Sequence, residues 1–234
     1  MPLSTPLLFL FDIDGTMLVT GGSGYRSFLR SCSEVVGIDG PIDGIHMAGK
    51  LDRGIFQQII DTYRPDTSAE ESDKHWIAFR KRYVELLELE SRDTSGWTLL
   101  PGIREVVERT NDLGKLALLT GNVRECAMMK IKAFGLEGYF PAGGYGEQDI
   151  SRGELAKLAY EDACEHYGIR FAPERTYVLG DTVNDVLAAR AIGAHAIAVA
   201  TGTVTFQELA AAEPELLLQD FSSGAQQFYD YLSC

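Results

Sequence analysis

Residues 7–16 read Leu-Leu-Phe-Leu-Phe-Asp-Ile-Asp-Gly-Thr. Five unbroken apolar residues suit a strand covered on both faces, as in a parallel sheet with helices on either side. The run ends in Asp12 and Asp14. Alternate residues of a strand point the same way, so both carboxylates can face one small volume. Gly15 then turns the chain where a side chain would obstruct a ligand. Two carboxylates at a buried strand's exit repel unless a cation or a proton lies between them. An ordinary strand exit would account for four such letters alone. The stretches downstream decide between the two readings.

After Thr16 the pattern changes. Gly21, Gly22, Ser23 and Gly24 form a flexible stretch, read as a hinge rather than a plain loop. Residues 25–36 carry Phe28, Leu29, Cys32, Val35 and Val36 as a helical stripe closed by Gly37. Residues 53–63 form a second amphipathic segment. Ser68 with Glu71 makes a capping-box signature before a long helix with Trp76, Phe79, Tyr83, Leu86 and Leu87 along one side. Residues 17–96 are therefore expected to be all-helical, their aromatic stripe serving as core. From Trp97 onward helix and strand alternate: strands at residues 115–120, 140–145, 176–180, 194–200 and 215–218, helices between them. That alternation predicts a Rossmann-like α/β core, a parallel sheet doubly wound by helices. The expected division is a core of residues 1–16 and 97–234, with 17–96 an inserted helical cap domain. An insertion placed directly after the first strand emerges at its carboxyl end, the edge where open parallel sheets bind ligands.

The bulk numbers narrow the function. The 234 residues suit one large domain, or a core with a smaller partner. Hydrophobic residues at 45% and charged residues at 24% are ordinary for a globular protein. A net charge of -13 argues against a nucleic-acid surface. It also disfavours an anionic substrate unless a local cation reverses the field, a second hint of a bound metal. No apolar run approaches the roughly 20 residues of a membrane span. The start, Met1-Pro2-Leu3-Ser4, lacks the basic region of a signal peptide. Cys32, Cys126, Cys164 and Cys234 have neither metal nor disulfide spacing, and read as reduced thiols of a cytoplasmic protein.

Each expected core strand ends in polar residues: Asp12 and Asp14 on the first, Thr120-Gly121-Asn122 on the second, Asp181-Thr182 with Asp185 on the fourth. Singly, Thr120 could cap a helix, and Asp181 and Asp185 could be a solvated first turn favoured by the helix dipole. Together at one edge they make a site. Asp12-Ile13-Asp14-Gly15-Thr16 resembles the first motif of the haloacid dehalogenase superfamily, most of whose members are magnesium-dependent phosphatases. The later stretches follow in that family's order, so the resemblance spans nearly the whole chain. It extends through residues 180–191 and 201–221, which are similar to the phosphoglycolate phosphatase-like group.

The resemblance implies phosphoryl transfer through an aspartyl phosphate, which splits a hard hydrolysis into two easier steps. Asp12 would be the nucleophile. Asp14 would protonate the leaving oxygen and then deprotonate the attacking water. Asp12, the backbone carbonyl of Asp14, and Asp181 match the magnesium ligand positions, with Asp185 as ligand or support. Thr120, Gly121 and Asn122 would hold phosphoryl oxygens at a helix N-terminus, with Gly15 beside them. One piece departs from the pattern. Where the family usually has a Lys, often followed by Pro, this chain has Ser151-Arg152-Gly153-Glu154. Arg152 and Lys157 are the candidates. Arg152 is favoured, because Lys157 lies about 7.5 Å further along the helix at 1.5 Å per residue, and points away when Leu155, Leu158, Ala159 and Asp162 face inward.

The cap is expected to choose the substrate, a small phosphorylated metabolite. Lys50, between two cap helices, could reach an anionic leaving group, although a solvated surface Lys is the commoner case; His46 reads as a bystander. Asp14 speaks against dehalogenation and phosphonate hydrolysis, which in this family dispense with that residue. A sugar phosphomutase keeps both aspartates and stays open, as does a non-catalytic metal-binding regulator that retains the fold. The chain is expected to be a monomer or a homodimer.

Overall fold

A computed structural model describes residues 6–40, 42 and 44–233; the start read above as lacking a signal, and Cys234, lie outside the described residues. β1 (Leu7–Phe11) is the centre of a six-stranded parallel sheet. All five of its residues are buried, and they alternate between two cores. Phe9 and Phe11 point into one, Leu8 and Leu10 into the other.

The chain then leaves the sheet. β2 (Leu18–Val19) precedes α1 (Ser23–Val36), α2 (Asp52–Tyr63) and α3 (Ala69–Glu90). These three helices gather a third apolar cluster, completed by Trp97, Val123 and Cys126, in which Phe28, Phe56, Trp76, Phe79 and Tyr83 pack ring against ring. The chain returns through β3 (Thr98–Leu99), antiparallel to β2. That two-residue ribbon falls partly inside the span expected to be helical; two residues are too few to show a period. Ser23 and Gly24 also belong to α1, so only Gly21 and Gly22 stand outside a helix in the expected hinge.

The rest alternates: α4 (Ile103–Leu113), β4 (Gly114–Thr120), α5 (Arg124–Lys132), β5 (Ala142–Tyr145), α6 (Arg152–Tyr167), β6 (Thr176–Gly180), α7 (Val183–Ala191), β7 (His195–Val199), α8 (Phe206–Ala211), β8 (Leu216–Leu218) and α9 (Phe221–Leu232). The sheet order is β5-β4-β1-β6-β7-β8. Chain order runs outward from β1 through β4 to β5, then returns to β6 on the other side. The strand order thus reverses at β1, the point where doubly wound sheets open a crevice. α6, α7 and α8 cover one face; α4, α5 and α9 cover the other. Helix α9, which lacks a marked sequence boundary signal beyond its Asp220 cap, is an element the sequence reading did not include.

Candidate active site

Three adjacent strands, β4, β1 and β6, deliver their carboxyl ends to one place, and the pairing register sets their levels. Phe11 stands beside Leu118 of β4 and Leu179 of β6, so the residues that follow each strand end come out side by side. The Asp12 amide continues the ladder by donating to the Leu179 carbonyl at 2.9 Å. Asp12, Asp181 and Asp185 are all buried, and each offers an oxygen within 4.8 Å of the others.

Such crowding is costly in the absence of positive charge. Burial lifts the Asp12 carboxyl to about 7 despite Arg152, with Asp185 adding to the rise. Burial, and then Asp12 and Asp185, lift Asp181 to about 8. Arg152, the first residue of α6, supplies part of the compensation. One of its terminal nitrogens, Nη2, donates to Asp12 Oδ1 and Asp185 Oδ1, both at 2.7 Å, and to the Leu119 carbonyl at 2.9 Å. Its Nε is buried without a protein partner. Lys157 is exposed, as expected. Leu158 and Asp162 are exposed too; the inward stripe of α6 is Leu155, Ala156, Ala159 and Ala163.

Two hydroxyls tie the turn after β1 to its neighbours. Thr16 Oγ1 donates to Asp181 Oδ1 at 3.0 Å, and Thr201 Oγ1 donates to the Gly15 carbonyl at 2.6 Å. Asp185 Oδ2 accepts from the Thr182 hydroxyl and amide, closing the capping box of α7. Both Asp185 oxygens are therefore engaged within the protein. Gly15 has φ of 82°, and a Cβ there would stand 2.5 Å from Asp181 Oδ2. Only glycine meets both demands.

Four carboxylates (Asp12, Asp14, Asp181, Asp185) face two cations (Arg152 and Lys130). The set is short of positive charge by two, and its donors are all oxygens. A hard divalent ion such as magnesium fits that donor chemistry.

Thr120 is buried, and its Oγ1 accepts the Asn122 amide at 3.3 Å, which leaves the hydroxyl hydrogen free to donate. Gly121 and Asn122 lead into α5. The turn before α2 lies directly on them: the Asp52 amide donates to the Gly121 carbonyl at 2.7 Å, and the Arg53 amide to the Gly146 carbonyl at 3.0 Å. A Cβ on Gly121 would collide with the Lys50 carbonyl oxygen. Lys50 lines the cavity above the site, its Nζ donating to Gln58 Oε1 at 2.8 Å. His46 is exposed. The cavity measures about 580 Å³, and Phe28, Met47, Ile55 and Tyr83 form its apolar wall.

Two site residues escaped the sequence reading. Lys130 donates to Asp14 Oδ2 at 2.6 Å and to Asn122 Oδ1 at 2.7 Å. Its signal was available, since Cys126, Ala127, Lys130 and Ile131 make the inward stripe of α5, and a lysine in such a stripe needs a reason. Asp52 accepts the Val123 amide at 2.9 Å and so caps α5 from another helix. Burial lifts its carboxyl to about 7, with Lys130 pulling the other way. Nothing local in the sequence marks that role.

A family model described as haloacid dehalogenase-like hydrolase matches residues 7–193. The chain is 28% identical over 194 residues to "Pyrophosphatase PpaX" of Halalkalibacterium halodurans, covering 79% of each chain. It is 26% identical over 241 residues to a phosphoglycolate phosphatase of Agrobacterium fabrum, covering 98% of this chain and 96% of that one. Among solved structures, CbbY from Rhodobacter sphaeroides in complex with phosphate shares the fold with a TM-score of 0.70 at 21% identity, over 94% of this chain and 96% of that one.

Proposed function

Because this chain belongs to the haloacid dehalogenase-like hydrolases, we propose that it is a magnesium-dependent phosphatase that cleaves a small phosphorylated metabolite through an aspartyl phosphate on Asp12. The observation that carries the reading is the buried Asp12, Asp181 and Asp185 cluster, bound to Arg152 and still two charges short of neutrality.

Asp12 attacks phosphorus in line, its carboxylate oriented by the Arg152 hydrogen bond to Oδ1. Asp14, held by Lys130, gives its proton to the leaving oxygen and afterwards takes one from the water that releases phosphate. Thr120, Gly121 and Asn122 hold the transferred group at the start of α5, where the positive end of the helix dipole favours an anion. Magnesium would be held by Asp12, the Asp14 carbonyl and Asp181; when bound it neutralises phosphate charge and lets the carboxylates coexist. Asp185, with both oxygens occupied, serves by anchoring Arg152. The regulator reading leaned on the missing lysine, and Arg152 in contact with Asp12 supplies the positive charge instead.

The relatives' pyrophosphatase and phosphoglycolate phosphatase activities mark the substrate class, small phosphate esters and anhydrides. Lys50 at the cavity wall is the group we assign to the leaving moiety. Free thiols at Cys32, Cys126 and Cys164 fit a reducing compartment, the cytoplasm. No helix among the described residues is long and apolar enough to cross a membrane.

The test is phosphate release from a panel of phosphomonoesters, with magnesium or with EDTA, by wild type and Asp12→Asn. The expected result is magnesium-dependent release that falls at least about 1,000-fold in the variant, as for loss of a nucleophile. Release that survives Asp12→Asn, or that ignores EDTA, contradicts the reading.

A further inference from the structure

Asp14 is held differently from the other carboxylates of the site. Its side chain is 43% exposed, and Lys130 is its one hydrogen-bond partner among the described residues. A carboxylate on a turn beyond a strand, with a broad second torsion, samples many orientations unless something selects one. Lys130 makes that selection. Lys130 is 2% exposed, and its ammonium reaches from α5 to Asp14 Oδ2 at 2.6 Å and Asn122 Oδ1 at 2.7 Å. Burial opposes the charge, and Asp14 together with Asp52 favours it by more.

Packing alone would not choose a lysine here. The neighbours in the stripe are Cys126, Ala127 and Ile131, and an apolar side chain would fill the same space without the cost of burying a charge. The first turn of α1 closes the space above, since a Cβ on Gly24 would lie 3.6 Å from the Lys130 nitrogen. The ammonium therefore bridges two groups with separate duties, the proton donor and the residue assigned to the phosphoryl cradle.

We propose that Lys130 is a positioning residue for proton transfer: it fixes Asp14 at a set distance from Asn122, and so from the transferred phosphoryl group. The proposal rests on the reading of Asp14 as acid and base. In the first step an Asp12 oxygen bonds to phosphorus, the bond to the leaving oxygen breaks, and that oxygen takes the Asp14 proton. In the second, water bonds to phosphorus, the bond to Asp12 breaks, and Asp14 regains a proton from the water. Lys130 keeps its own protons throughout.

The experiment compares wild type, Lys130→Met, Asp14→Asn and the double variant on esters from alkyl phosphates to nitrophenyl phosphate. Thermal unfolding and magnesium binding report whether each variant folds, and Lys130→Gln stands in for the methionine variant if that one does not. Loss of positioning lowers kcat/KM for alkyl esters by about 100-fold. The loss on nitrophenyl phosphate is at least about ten times smaller, because that leaving group departs without a proton. In the Asp14→Asn background the second change costs less than about 3-fold, since the route it acts through is gone. A loss equal across all esters, or one that persists in full beside Asp14→Asn, overturns the proposal. A wild type that hydrolyses no ester overturns the phosphatase reading itself; an active wild type with an unimpaired Lys130→Met overturns this inference alone.

Discussion

Arg152 presents one nitrogen to three oxygens, and two of them belong to buried carboxylates. Removing it takes the ionic partner from two desolvated carboxylates, leaving Asp185 with only the Thr182 hydroxyl and amide. Such losses cost about 3–5 kcal/mol. Arg152→Met is therefore expected to lower stability by that order in urea unfolding with EDTA present, and to abolish phosphate release. Unchanged stability would mean the carboxylates are protonated or paired elsewhere. This residue was legible before the structure because a cation at a helix N-terminus opposes the dipole and asks for an explanation. Lys130 was not read from the sequence, although it sits on an equally conspicuous stripe. Its partners lie 8 and 116 residues away, and a contact at that separation has no local pattern.

At the scale of elements, the strand ends were legible because each apolar run stops at a polar group, and the parallel register aligns those stops. The contact between the α2 turn and the β4 end was not, because it depends on backbone groups and glycines. Gly121 and Gly146 admit the Lys50–Arg53 turn to within hydrogen-bond distance of two core carbonyls. Gly121→Ala would push that turn outward, break the Asp52 to Gly121 bond and open the cavity. Overpacking of this kind costs about 1–3 kcal/mol. The expected outcome is a lowered Tm and a raised KM, measured by thermal unfolding and steady-state kinetics. An unaltered KM would show that the turn is remote from bound substrate. The two-residue ribbon β2–β3 and helix α9 were missed for simpler reasons. One is too short for periodicity, and the other follows the last strand without a break in composition.

For the whole molecule, the site's negative charge is a liability that the ion is expected to relieve. Asp12 and Asp181 have folded values of about 7 and about 8, against 3.8 for an ordinary aspartate. The metal-free folded state therefore binds more protons than the unfolded chain across that window. The contribution is fully present below about 3.8 and is lost as pH rises through the folded values, so stability without metal should fall from about pH 4 to about pH 8. Magnesium needs the ionised carboxylates, and its stabilisation should grow over the same range. Tm measured against pH, with magnesium or EDTA, checks both slopes. Two curves that stay parallel would remove the carboxylate cluster from the metal site.

The most direct test is chemical trapping of the acyl phosphate. Wild type turning over a preferred phosphomonoester with magnesium is quenched with borohydride, which reduces an aspartyl phosphate to homoserine, and the modified position is found by peptide mass spectrometry. The account predicts homoserine at residue 12, dependent on both ester and magnesium. Turnover with Asp12 unmodified, or with the modification on another carboxylate, would contradict it.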